Sequence, residues 1–308
     1  MIYKYFYNQT EERFTTGVRL LFQFVLFVTT FILSVVISNN IENYYLSNLT
    51  QELLLIPFAL LSLYLPIILF DKRKISNIGL AISKKWLVDF LYGIGLGAVL
   101  MLFVFVTLIT TNKIEVTELF YSDINSVFLL EILGRFLGYL SIGIIEETFS
   151  RGYHIKNISE GLNNYSIGNN SSVLSAWIIS SLIFGILHGA NPNASIIGIT
   201  NLFLIGFLYG YAYVVSGSLA IPIGLHTAWN FFQGNVFGFN VSGFKPEVTF
   251  ILPTNLENDI FSGGNFGPES GLIMIPTIIL GFLLSYLILN FRNNKTKINP
   301  QLAIYKKN

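Results

Sequence analysis

Leu87–Thr110 reads LVDFLYGIGLGAVLMLFVFVTLIT, an apolar run broken by one charged residue, Asp89. A helix rises 1.5 Å per residue, so about 20 apolar residues cross the hydrocarbon core of a bilayer, and this run is long enough to do so. Seven further stretches read the same way: Leu20–Ser38, Leu53–Phe70, Val127–Ile145, Ser172–Leu187, Ile196–Val215, Leu219–Phe232 and Leu272–Phe291. Composition agrees. Of 308 residues 53% are hydrophobic and 11% charged, with a mean hydropathy of +0.62, whereas an average soluble domain has roughly 25% charged residues to cover its surface. A soluble globule is excluded. The expected fold is an all-α integral membrane protein, a bundle of about eight transmembrane helices with any active site inside the bundle.

Net charge is +1, from 18 Lys+Arg against 17 Asp+Glu, so no broad basic surface points to a nucleic-acid partner. The absence of cysteine excludes disulfides, thiolate metal sites and a cysteine nucleophile. Basic residues alternate between loops: Lys4, Arg13 and Arg19; Lys72, Arg73, Lys74, Lys84 and Lys85; Arg151 and Lys156; and Arg292, Lys295, Lys297, Lys306 and Lys307 fall on one side, with only Lys113 and Lys245 in the loops between. The excess of Lys and Arg marks the cytoplasmic side. Both termini are therefore expected in the cytoplasm, in a cell membrane and most simply a bacterial plasma membrane. The first helix follows the polar stretch Asn8–Glu12 and lacks a small-residue cleavage site, so it reads as an anchor. Three regions result: 1–126 with about three spans, 127–235 as a core of about four, and 236–308 with an extracytoplasmic loop, the last span and a basic tail. The loop Gln233–Gly271, rich in Gly, Asn and Phe, is free to lie on the outer interface and carries no motif of assignable function. Gly206 and Gly210 form a GxxxG pair that reads as a tight helix contact.

Polar residues inside spans are costly and count as functional candidates. Three clusters qualify: Glu146-Glu147-Thr148-Phe149-Ser150-Arg151 on the fourth span, Phe184-Gly185-Ile186-Leu187-His188 on the fifth and His226-Thr227-Ala228-Trp229-Asn230 on the seventh. Glu147 and Arg151 are four apart and share a helix face, while Glu146 is turned about 100° away and left unpaired. The first pair therefore suits a structural role and Glu146 a chemical one. His226 and Asn230 likewise share a face, and Phe184 lies one turn from His188. Helical rise puts Glu146, His226 and Asn230 at similar depth in the cytoplasmic half, with His188 deeper. His154 reads as a titratable surface histidine near the interface, and Glu131 and Arg135, four apart, as an intrahelical pair.

EExxxR, then FxxxH, then HxxxN, each on its own span and in that order, resembles the CPBP family of intramembrane proteases (CAAX proteases and bacteriocin-processing enzymes, also called Abi), over about Leu130–Phe232. The contexts Arg151-Gly152 and Gly217-Ser218-Leu219 also look like the family's. Departures are the polar insert Asn163–Asn170 and the long loop after the third motif. The resemblance implies an endopeptidase in which Glu146 with His188 activates water, His226 and Asn230 donate to the oxyanion, and Glu147, Arg151 and Phe184 support them. Its substrate would be a membrane-embedded or membrane-associated peptide or protein. Glu146, His188 and His226 also make a His₂Glu set of the kind that holds a catalytic divalent metal such as zinc, and the family has been described both as metalloendopeptidase and as glutamate protease. Three rival classes remain: a proton-coupled transporter that uses the same buried Glu, His and Arg as a relay, a non-catalytic scaffold for bacteriocin immunity or signalling, which would not need Glu146, His188, His226 and Asn230 all intact, and a lipid-modifying enzyme, which would show a phosphate-binding basic cluster where only Arg151 stands.

Overall fold

A computed structural model describes residues 3–41, 44–123, 127–163, 167–254, 259–293 and 296–306. Of the sequence features above, Asn164, Tyr165, Ser166, Lys295 and Lys307 lie outside the described residues. The expected all-α membrane architecture is present. Eight main helices follow the eight apolar runs: α1 (Thr16–Asn39), α2 (Tyr44–Leu65), α3 (Lys84–Thr110), α4 (Phe128–Leu162), α5 (Asn169–Leu187), α6 (Ile196–Ser216), α7 (Ala220–Phe231) and α8 (Met274–Asn293). Among the described residues six of them, all but α2 and α7, are long and apolar enough to span a bilayer. The protein is multi-pass. An antiparallel pair, β1 (Val116–Ser122) and β2 (Val248–Pro253), joins the loop after α3 to the loop after α7, with Leu119 opposite Ile251.

Local chemistry sets the helix ends. Ser83 caps α3 by accepting from the Trp86 backbone N–H, and Ser195 caps α6 by accepting from that of Gly198, each satisfying an otherwise orphan donor. Gly217 ends α6 in the left-handed region at φ 71°, where glycine carries no Cβ penalty. Within α4, residues Thr148–Ile155 are wound as a π-helix, a wider turn that is often found at functional sites.

Packing around α7 depends on small residues. The helix is short and buried from Ala220 to Asn230, and it lies against α3 and α4 at backbone distance. A Cβ on Gly97 would fall 2.7 Å from the Leu225 carbonyl oxygen, one on Gly143 2.7 Å from Thr227 Oγ1, and one on Gly224 would overlap the Phe90 carbonyl. Without a hydrophobic drive between helices in lipid, such close approach is the main source of attraction. The pair Gly206 and Gly210 is a tight contact as expected, against Phe184 and Trp177 of α5.

The basic segments meet at one end of the bundle, which agrees with the alternation of the loops. Glu160 accepts from Arg13 Nη2 at 2.7 Å and from Arg73 Nη1 and Nη2 at 3.0 and 2.6 Å. Asp71 accepts from Arg19 at 2.9 Å and from Asn157 at 2.9 Å. Lys156 Nζ donates to the carbonyls of Gln301, Leu302 and Ile304, and the Arg13 guanidinium lies 3.5 Å from the centre of the Tyr305 ring. Arg13, Arg19, Arg73 and Lys156, which read as loop charges, are thus buried structural cations. Burial alone would lower the Arg73 pKa, but Glu160 and Asp71 beside it hold it above the ordinary arginine value. Arg135, for its part, pairs across to Glu247 of the loop after α7, beyond its own helix.

Two outcomes follow. Gly224→Ala must push α7 off α3 and should cost about 1–3 kcal/mol, as overpacking does, read as a lower thermal midpoint of the detergent-extracted protein. Glu160→Gln leaves several buried cations short of a partner, a loss of about 3–5 kcal/mol; it should lower the midpoint and expose the C-terminal tail to limited proteolysis.

Candidate active site

Glu147 is the centre of the polar site. Its side chain is fully buried, and Oε1 accepts from Arg151 Nη1 at 2.9 Å and from His226 Nδ1 at 2.9 Å. Arg151 Nη2 donates to the Gly206 carbonyl at 2.9 Å, and its guanidinium lies 4.3 Å from the centre of the Phe184 ring. A Cβ on residue 206 would sit 3.0 Å from that nitrogen, so the glycine of α6 makes room for the arginine of α4. The Glu147–Arg151 pair expected from spacing is present, and it is joined by a histidine 79 residues away.

A carboxylate can only accept, so the contact with Glu147 places a proton on His226 Nδ1 and directs Nε2 elsewhere. Nε2 lies 4.0 Å from Glu146 Oε2. Tyr209 and Phe184 wall the same ring at centroid distances of 5.0 and 6.1 Å. His188 stands at the end of α5 with Nδ1 donating to the Phe184 carbonyl at 2.8 Å and its ring 4.6 Å from Phe184. It too is left with Nε2 as the second polar atom of the ring.

Glu146, Phe184, His188, His226 and Asn230 line one cavity of about 250 Å³, together with Tyr139, Asn191, Tyr209, Ser242, Phe244 and Glu269. All four residues expected to do chemistry are therefore brought together, and Glu147 and Arg151 stand behind them. Glu146 is 36% exposed where Glu147 is 0%, in keeping with the different roles that their helical phase suggests. The cavity does not lie in the half expected from helical rise. Asn191, Ser242, Phe244 and Glu269 belong to the loops after α5 and α7, at the end opposite the basic network. The physical reason is the loop 233–271, whose described residues pack onto the bundle end with Phe239, Phe266 and Glu269 buried. It roofs the site from that side and meets His188 at the end of its helix.

A second, larger hollow of about 680 Å³ shares Glu146, Phe184, His188, Asn191 and Phe244 with the cavity and runs between α1 and the pair α4 and α5. Leu20, Leu21, Phe24, Phe27, Phe149, Ile158 and Ile183 make it apolar, and Leu21, Phe24 and Leu187 are exposed on its rim. His154 lines it, only 8% exposed and with Nδ1 unpartnered. It is not a surface histidine. The π-helical winding of Thr148–Ile155 and the burial of the turns around it carry the residue inward, its ring 4.3 Å from Phe149.

Glu269 and His154 were not legible as site residues. Glu269 lies 123 positions after Glu146 in a loop without motif, and only folding brings it to the cavity.

As to a metal, both histidines donate through Nδ1 to an oxygen, which is the support that ligating imidazoles usually have. Yet no three His, Asp or Glu side chains among the described residues come together as a metal-holding group.

Replacing His154 by Phe removes a buried polar atom without a partner, whose desolvation costs about 1–3 kcal/mol; the thermal midpoint should not fall. Glu147→Gln, in contrast, leaves Arg151 buried beside a neutral group and should lower both the midpoint and the amount of membrane-extracted protein.

Residues 128–232 match the family model Rce1-like, described as Type II CAAX prenyl endopeptidase Rce1-like. No curated protein and no solved structure matches the chain. The matched segment begins at the first residue of α4 and ends just beyond α7, so it contains each of the three motifs and both helices between the first and the last. The resemblance drawn from EExxxR, FxxxH and HxxxN agrees with this match: residues 128–232, about a third of the chain, are similar to the Rce1-like family, consistent with a CPBP family protease.

Proposed function

We propose that the protein is an intramembrane endopeptidase that hydrolyses a peptide bond of a membrane-embedded or membrane-associated substrate with water activated by Glu146. The observation that carries this reading is the 4.0 Å separation of Glu146 Oε2 and His226 Nε2 across the cavity, a gap that one water molecule bridges with hydrogen bonds of about 2.8 Å to each. Glu146 takes a proton from that water as its oxygen bonds to the scissile carbonyl carbon, and returns the proton to the leaving nitrogen when the C–N bond breaks. His188 is its partner on the cavity wall. Asn230 and His226 donate to the oxyanion; for His226 this requires the imidazolium form, whose charge the Glu147 carboxylate at 2.9 Å supports. Arg151 holds that carboxylate in place at 2.9 Å.

The apolar hollow between α1, α4 and α5 supports a lateral route for substrate from the bilayer, since it reaches Glu146 without passing an aqueous loop. The reading assigns 127–235 as the catalytic core and places the basic end, with both termini, in the cytoplasm. A zinc-dependent variant of the reaction would draw on Glu146, His188 and His226, and chelation of the purified protein decides between the two.

The deciding experiment compares membrane-peptide profiles of cells that express the wild-type protein and Glu146→Gln. An uncleaved peptide should accumulate in the variant. Loss of a general base lowers rate by about 10² to 10⁴ and loss of an oxyanion donor by about 10² to 10³, so Glu146→Gln and His188→Ala should be at least as damaging as Asn230→Ala, at equal protein level. Unchanged cleavage by Glu146→Gln removes the mechanism.

A further inference from the structure

The cavity has a chemical character that the three motifs do not dictate. Its wall contains the carboxylates of Glu146 and Glu269, the imidazoles of His188 and His226 and the rings of Tyr139, Phe184, Tyr209 and Phe244, but among the described residues no lysine or arginine. The nearest guanidinium, that of Arg151, is screened by the Phe184 ring and committed to Glu147 and Gly206.

Glu269 is built into its position. Its Oε2 accepts from the backbone N–H and the hydroxyl of Ser242, both at 2.7 Å. The flanking backbone is clamped from α6, where Asn201 Nδ2 donates to the carbonyls of Glu269 and Gly271 at 2.9 Å each. The approach of the loop requires glycine: Gly263 and Gly267 lie at φ 91° and 101°, and a Cβ on either would overlap backbone. Glu269 itself is 2% exposed and lines the cavity, and its Oε1 accepts no hydrogen bond from the described residues. A rigidly held carboxylate with one oxygen unpartnered, among aromatic rings, is suited to an ammonium or guanidinium group.

We propose that the cavity receives a positively charged group, and, on the protease reading above, that the substrate carries a lysine, an arginine or an amine terminus beside the scissile bond, bound by Glu269 Oε1 and the surrounding rings. Such a group enters through the apolar hollow or past the roof and is held while Glu146 acts.

The test has two arms, both on the full-length protein in neutral phosphatidylcholine vesicles. In the first, dodecylammonium, dodecanol and dodecanoate are titrated against the wild type, Glu146→Gln and Glu269→Gln, with tryptophan fluorescence and thermal midpoint as readouts. Dodecylammonium should bind the wild type and Glu146→Gln roughly tenfold or more tightly than the other two, the size expected for a charged hydrogen bond, and Glu269→Gln should lose that preference. In the second, matched membrane peptides with Lys, Ala or Glu beside the cleaved bond are compared. Lys should be preferred by the wild type, and the ratio of Lys to Ala cleavage should fall towards one in Glu269→Gln. Should Glu269→Gln fail to fold, the order of the three probes on the wild type still decides. Equal binding of the three, a preference for dodecanoate, or an intact Lys preference in Glu269→Gln overturns the proposal. Ammonium binding without any peptide cleavage leaves the cation site standing and removes the protease reading instead.

Discussion

The buried carboxylate of Glu147 is the interaction on which the site depends. One oxygen receives Arg151 from its own helix and His226 from α7, so a single atom fixes the π-helical turn of α4, the tautomer of His226 and the distance from His226 to Glu146. Two like-charged glutamates in sequence are tolerable in a bundle interior because their neighbours differ. Arg151 balances Glu147 inside the protein, and Glu146 is exposed to the cavity where water can solvate it. Partner and exposure together therefore separate the two: Glu147 is fixed by Arg151 and His226, and Glu146 faces the cavity.

Backbone proximity is the condition for that arrangement. His226 reaches Glu147 because α7 is held close to α3 and α4 by Gly97, Gly143 and Gly224, and Arg151 reaches the Gly206 carbonyl because α6 has no side chain in the way. The charged end of the bundle plays a different part. Arg13, Arg19, Arg73 and Lys156 with Asp71 and Glu160 tie the N-terminal segment, the loop before α3, the end of α4 and the C-terminal tail into one buried assembly. Pairs of this kind add little net stability over apolar packing but are severe to break. They fix which segments meet, and so the register of α1 beside the hollow that leads to Glu146.

What the sequence made legible follows from the range of each interaction. Glu147 with Arg151 and His226 with Asn230 are four residues apart, and helical geometry alone puts each pair on one face. Ordering of the three motifs on successive spans then brought Glu146, His188, His226 and Asn230 into one expected bundle interior, and the cavity contains all four. Depth was not legible, since counting residues along a helix assumes that the loops lie outside it. The loop 233–271 folds inward and alters which end is capped. His154 escaped because a π-helical turn does not follow the 100° step from which a surface position is inferred. Arg13 and Lys156 were counted as solvated charges, since nothing local announces Glu160 as a shared partner. Glu269 has the longest sequence separation and the least local pattern of all, and its place depends on two glycines whose role is visible only as a forbidden Cβ.

The hollow and the cavity differ in chemistry, and their junction is at Glu146. The hollow is apolar, open on a rim of Leu21, Phe24 and Leu187, and long enough along α4, from Ile145 to Ile158, to span about 20 Å. The cavity is small, lined by aromatic rings, two histidines and the carboxylates of Glu146 and Glu269, and covered by the described residues of the loop 233–271. A purely apolar substrate would gain from the first and nothing from the second, while a soluble peptide would gain little from the first. Both surfaces are used together only by a molecule with an apolar part in the bilayer and a polar, cationic part near the bond to be cut. Hydrophobic burial in the hollow would then fix how far the chain enters, and the charge would fix which peptide carbonyl stands between Glu146 and His226. Specificity would lie in the match of two distances rather than in either contact alone.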